Sequence, residues 1–197
     1  MSKLFVLNFT LIGFMAVAAA TAQAQEYRGY EMPGYRVAAQ EGAFELRDYE
    51  PYLVAEVTVR GDRNGAANRG FRTLAGYIFG GNATEEKIAM TAPVVQRPSS
   101  SDTWTVSLMM PRAHSKDSLP GAQTDAIRFE TVGSQRMATV QFTGRWTNDA
   151  LVAKENELRD WISAKGLTPE GEAQYFFYDP PFRLPWNRRN EVAFAVR

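Results

Sequence analysis

Apolar residues at Leu53, Ala55, Val57 and Val59 alternate with Val54, Glu56, Thr58 and Arg60. A period of two sustained over this stretch predicts a half-buried strand. Phe44 and Leu46 alternate just before it. The period then changes: Ala67, Phe71, Leu74, Ala75 and Ile78 fall on one helical stripe over 65–79, and Gly80 and Gly81 stop it. Arg69, Arg72 and Gly76 lie along one flank of that stripe, three and four residues apart. Two more strands are expected from Ile88, Met90, Ala92 and Val94, and from Trp104, Val106, Leu108 and Met110, with a turn at 97–102 between them.

The same order then returns. Ile127 and Phe129 alternate, a strand runs over 137–143, and Asn148 is placed to cap a helix that turns Leu151, Leu158, Trp161 and Ile162 inward. Gly166 and Pro169 end it, and strands follow at 173–178 and through Val192, Phe194 and Val196. The segment from Ala55 to Gly61 is similar to that from Ala138 to Gly144, 83 positions on, and Val106, Leu108 and Met110 answer Val192, Phe194 and Val196, 86 positions on. Each half, about 43–111 and 126–197, is read as β-β-α-β-β, with the polar stretch 111–121 between them. The expected fold is α+β: a pseudo-twofold, distorted, mostly antiparallel eight-stranded barrel with two flanking helices. Residues 25–42 are weakly patterned and are read as a lead-in.

The first 24 residues fit a signal peptide: Lys3 opens it, an apolar run follows, and Ala22-Gln23-Ala24 has the form of a cleavage site. Cleavage there would leave 173 of the 197 residues, enough for one domain, exported to the periplasm or secreted, with no stable membrane anchor. Without Lys3, 21 basic side chains face 22 acidic ones. That balance argues against general nucleic-acid binding, which needs a basic excess. Cysteine is absent, which removes thiol nucleophiles and thiolate ligands, and His114 is the single histidine.

Three segments carry a family resemblance. They are Glu45-Leu-Arg-Asp-Tyr49, Lys87-Ile-Ala-Met-Thr-Ala-Pro-Val94, and the stretch from Tyr178-Asp-Pro-Pro to Asn190-Glu-Val192. In this order and spacing, over residues 43–197, the chain resembles the SOUL haem-binding proteins. The resemblance implies a duplicated α+β barrel and non-covalent binding of haem or free porphyrin. The family's fold is shared with bacterial effector-binding domains. The chain is read as a monomeric binding protein rather than an enzyme.

A tetrapyrrole is an apolar plate with two carboxylates on one edge, so its site needs an apolar groove with cations at the mouth. The helix over 65–79 supplies Phe71, Leu74, Ala75 and Ile78, with Met90 close by in the family motif, and Arg69 and Arg72 flank it. Arg183 matches a position where the family carries a basic residue near the ligand. Arg69 and Arg183 are therefore the expected propionate partners, with Arg72 as a substitute. Some family members carry His where this chain has Asp48, His114 sits in a polar connection, and Met90, Met109 and Met110 have the spacing of core filler. No strong axial ligand is expected.

Phosphate-loop, dinucleotide, zinc-protease and serine-hydrolase motifs are absent. Two other readings stay open. A carboxylate among Glu45, Asp48, Glu56 and Glu191 could act as an acid or base on a porphyrin or small ester in the same cleft. Alternatively, the groove could take an effector or peptide without catalysis.

Overall fold

The computed structural model describes residues 25–197 of the chain, so the expected signal peptide at 1–24 lies outside the described residues. In chain order the elements are β1 (Gln25–Tyr27), β2 (Tyr30–Met32), β3 (Tyr35–Glu41), β4 (Phe44–Tyr49), β5 (Tyr52–Arg60), α1 (Arg63–Ile78), β6 (Val94–Ser100), β7 (Thr103–Met109), β8 (Arg128–Val132), β9 (Gln135–Phe142), α2 (Asn148–Ala164), β10 (Pro169–Phe177) and β11 (Asn190–Val196). A short 3-10 turn at Pro185–Asn187 precedes β11.

Nine of the strands form one curled antiparallel sheet in the order β3-β4-β9-β11-β10-β6-β7-β5-β8. The first strand of each expected half pairs with the second strand of the other: β4 with β9, and β8 with β5. The two expected halves also meet at the β10–β6 pair. Its two ends, β3 and β8, do not meet, so the sheet is a half-barrel rather than a closed eight-stranded one. The extra strand comes from the lead-in. Arg28 and Gly29, both at positive φ, turn β1 into β2, and β3 then pairs along β4. Alternation could not reveal β3: it is an edge strand with most of its residues exposed, so neither face carries an apolar signal.

A second departure is the strand expected from Ile88 to Val94. Residues 88–93 make only an isolated bridge at Thr91, and β6 begins at Val94 and runs through the stretch expected to turn. The apolar spacing there reports anchoring instead: Ile88 and Ala92 are buried, and Thr91 Oγ1 donates to Met109 O at 2.7 Å. Pro98 is accommodated at a register shift in β6, where a missing N–H is tolerated.

Both helices lie on one face of the sheet. α1 packs Leu74, Tyr77 and Ile78 on Ala55, Val57, Val106 and Leu108. α2 packs Leu151, Leu158, Trp161 and Ile162 on Ala138, Val140, Val192 and Phe194. Strand side chains alternate in direction, so Ala193, Phe176 and Met137 face the other way, into a third cluster closed by Met32 of β2. Asp62 caps α1 by accepting from Gly65 N at 2.9 Å, and Thr147, one residue before the expected cap, caps α2.

Candidate functional site

The last connection, between β10 and β11, builds a groove with the starts of both helices. Its wall is formed by Asn64, Arg145, Trp146, Phe182, Arg183 and Arg188, together with neighbouring prolines and Leu184, around a volume of about 470 Å³. Arg188 shapes the loop. Its Nε donates to Arg183 O at 2.7 Å, its Nη2 donates to Pro181 O at 2.6 Å, and its guanidinium lies 4.4 Å from the Trp146 ring centre. Gly144 N donates to Pro185 O at 2.9 Å, which holds the loop against the approach to α2. Phe182, Leu184 and Trp186 are left exposed around it.

Buried Arg63, the first residue of α1, positions the Trp146 side of the groove. It donates to Trp146 O at 2.7 Å, Asn148 Oδ1 at 2.8 Å and Gln96 Oε1 at 3.3 Å. Burial lowers its pKa. The guanidinium thus ties the start of α1 to the start of α2.

The groove lining carries three arginines and no carboxylate. Arg183 Nε lies 2.8 Å from Asp179 Oδ1, a charge contact, yet this buried donor is angled away from any hydrogen-bond acceptor. The other oxygen of Asp179, Oδ2, accepts from Tyr27 Oη at 2.8 Å and from Arg189 N at 2.8 Å. Arg145 and the outer nitrogens of Arg183, beside the Trp146 indole, suit the carboxylated edge and apolar face of a tetrapyrrole.

Of the residues singled out in the sequence, Arg183 lines this groove, whereas Arg69, Phe71, Arg72, Leu74, Ala75, Ile78 and Met90 do not. The buried face of α1 is turned from the expected stripe, to Arg63, Ala66, Gly70, Leu74, Tyr77 and Ile78. Leu74 and Ile78 are fully buried in the α1 core cluster, so their part of the expected apolar slot is filled by the protein itself. Phe71, Arg69 and Arg72 are exposed, Ala75 and Met90 half-buried. The Arg69 guanidinium donates to Arg60 O at the end of β5. Gly70 explains the rotation: a Cβ there would lie 2.6 Å from Val106 Cγ2, so the helix approaches the sheet through a glycine that hydropathy does not count.

Asp48, at the position where some relatives carry His, is held by Arg36 and Arg136, each at 2.6 Å. Arg136 foremost, against a smaller effect of burial, keeps its carboxyl below the usual range. His114 sits half-buried in the loop after β7, and Met109 and Met110 are buried. Glu56 does point away from the Ala55/Val57 face, but Arg97 and Arg128 each reach it at 3.1 Å. Arg145 and Trp146 escaped the sequence reading, in which Arg188 counts only as a structural residue before the last strand; the available signal was the clustering of Arg and Trp on either side of predicted elements.

Comparison with known proteins gives the family of the chain. A family model described as SOUL heme-binding protein matches residues 30–195. The chain is 37% identical to human heme-binding protein 2 over 186 residues, covering 88% of this chain and 87% of that protein. It is 30% identical to the mouse protein of that name, covering 87% and 88%. Among solved structures, a hydrolase from Listeria innocua superposes with a TM-score of 0.62 at 13% identity, over 81% of this chain and 94% of that one. The EcmrR C-terminal domain superposes with a TM-score of 0.59 at 12% identity, over 83% and 98%. Both show the fold alone. The match to the family model, with the M-T-A-P-V and terminal R-N-E-V segments in place on the half-barrel, makes the chain a member of the SOUL haem-binding protein family.

Proposed function

We propose that this protein binds haem or a metal-free porphyrin non-covalently in the groove between the helix starts and the 179–189 loop. Family membership supports the ligand class, and one observation carries the location: three guanidinium groups, of which only Arg183 has a carboxylate neighbour, Asp179, surround an indole-walled groove. In this reading Arg145 and Arg183 receive the propionates, while Arg188 positions the loop and Trp146 contacts the plate. The chain lacks cysteine for thioether attachment, and Asp48 is committed to arginines, so packing and charge hold the plate without a strong axial bond. Binding rather than turnover is the activity, and the protein acts as a monomer. We carry two further proposals from the sequence: export with cleavage after Ala24, and an origin of the two halves by duplication, for which the crossed pairing of β4 with β9 and β8 with β5 is the structural support.

Hemin titration followed in the Soret band tests the function. Saturable binding at micromolar hemin is expected, with metal-free protoporphyrin binding within a few-fold. A charge-assisted hydrogen bond contributes about 1.5–3 kcal/mol, so Arg145→Ala with Arg183→Ala should weaken binding at least tenfold, while Arg69→Ala leaves it unchanged. No Soret change at micromolar hemin would overturn the reading. N-terminal sequencing of the exported protein tests cleavage.

A further inference from the structure

The face of the sheet opposite the helices is sealed over one half and open over the other. Around β9 and β11 it is filled by Tyr49, Met137, Phe176 and Tyr178, with Met32 of the β1–β2 hairpin closing over them. Around β5, β6 and β7 a cleft of about 320 Å³ remains, and it shares no lining residue with the groove described above. That volume is at the low end for small-molecule sites and is enough for a compact molecule. Tyr52, Val54, Val95 and Met109 supply apolar walls, buried Glu56 lies at the bottom, and exposed Glu130 sits at the mouth.

The charged groups lining the cleft are two carboxylates and one guanidinium, Arg97. Glu56 Oε1 accepts from Arg128 Nη2 at 3.1 Å, and that same nitrogen reaches Thr58 Oγ1 at 3.2 Å, so Arg128 is committed away from the cleft wall. Glu56 Oε2 accepts from Arg97 Nη2 at 3.1 Å, and the Arg97 side chain is 45% exposed. The Arg97 head is half in solvent while Glu56 is buried, so an incoming ammonium has to take over the contact that Arg97 gives up. That contact also marks the spot as one that accepts a cation.

We propose that this cleft binds a compact amphipathic amine. Its ammonium replaces Arg97 at Glu56 Oε2, and its apolar body packs on Tyr52, Val54, Val95 and Met109. Arg97 acts as an internal stand-in that closes the site until such a ligand arrives. The proposal is independent of the tetrapyrrole reading, because the two sites are built from different residues.

Calorimetric titration of the full chain with phenethylamine and with 3-phenylpropionate tests it, since the two probes share an apolar body and differ in charge. Saturable binding of the amine at millimolar concentration or below is expected, with none of the acid. Arg97→Ala should tighten the amine several-fold by removing its competitor, and Glu56→Gln should weaken it tenfold or more. Should Glu56→Gln fail to fold, Glu130→Gln gives a smaller weakening in the same direction. Preference for the acid, weaker amine binding in Arg97→Ala, or no saturable amine binding to that variant would overturn the proposal. Hemin titration with the amine present should be unchanged; mutual displacement would show one site rather than two.

Discussion

Glu191 shows how much one buried carboxylate depends on distant parts of the chain. It is fully buried, accepts from Arg47 Nη1 at 2.8 Å and Nη2 at 3.0 Å, and also accepts from Arg189 Nη2 at 2.7 Å and Tyr178 Oη at 2.9 Å. Burial alone would raise its pKa, but the two arginines hold it below the usual carboxylate value. The native state therefore binds the proton less readily than the unfolded chain. Stability from this group is complete above the ordinary glutamate pKa of about 4.3 and is lost as pH falls from there through the lower native value. Removing one partner of a buried pair costs about 3–5 kcal/mol, so Glu191→Gln should lower stability by about that much in urea unfolding at pH 7. Its acid unfolding should also depend less steeply on pH. The pairing of Arg189 with Glu191 was legible as neighbours in sequence. Arg47, which supplies the bidentate contact, became a partner only through the pairing of β4 with β9 and β9 with β11.

At the scale of elements, α1 is where hydropathy and packing part company. A stripe through Ala67 and Phe71 satisfies the helical period as well as the true one through Ala66 and Gly70, because glycine carries no hydrophobic signal. Replacing Gly70 with alanine would gain about 1 kcal/mol of helix propensity. It would also force a methyl against Val106 in a filled core, an overpacking that costs about 1–3 kcal/mol. A net loss of stability is expected in thermal unfolding. Phe71→Ser, at a partly covered position, should cost less than Leu74→Ala, which removes a fully buried side chain and costs about 2–5 kcal/mol. The same measurements locate the buried face independently of any ligand. Periodicity placed β5, β7, β9, β10, β11 and both helices near their observed positions. It missed β3, which is an edge strand, and it displaced β6, because the buried residues before it are anchored rather than laddered.

Across the whole molecule, Arg63 links what the sequence presents as two separate halves. Its contacts to Asn148, Trp146 and Gln96 span 33 to 85 positions and fix one helix start relative to the other. Arg63→Ala leaves buried acceptors unsatisfied, at about 1–3 kcal/mol, and frees Trp146. Lower stability by urea unfolding is therefore expected, together with a several-fold weaker hemin affinity by Soret titration, although Arg63 does not line the groove. A variant with normal affinity would show that Trp146 is held by other contacts.

Local order sufficed for part of this. Periods of two and of about 3.6, helix stops at glycine, and three motifs in series determined an α+β chain of the SOUL family with a tetrapyrrole as the expected ligand, because these signals live within a few residues of one another. Only the tertiary structure decided which arginines converge, that the sheet stays open between β3 and β8, and that the slot expected beside α1 is partly core. Those outcomes depend on strand order and on a close helix approach at Gly70, and neither leaves a periodic trace along the chain.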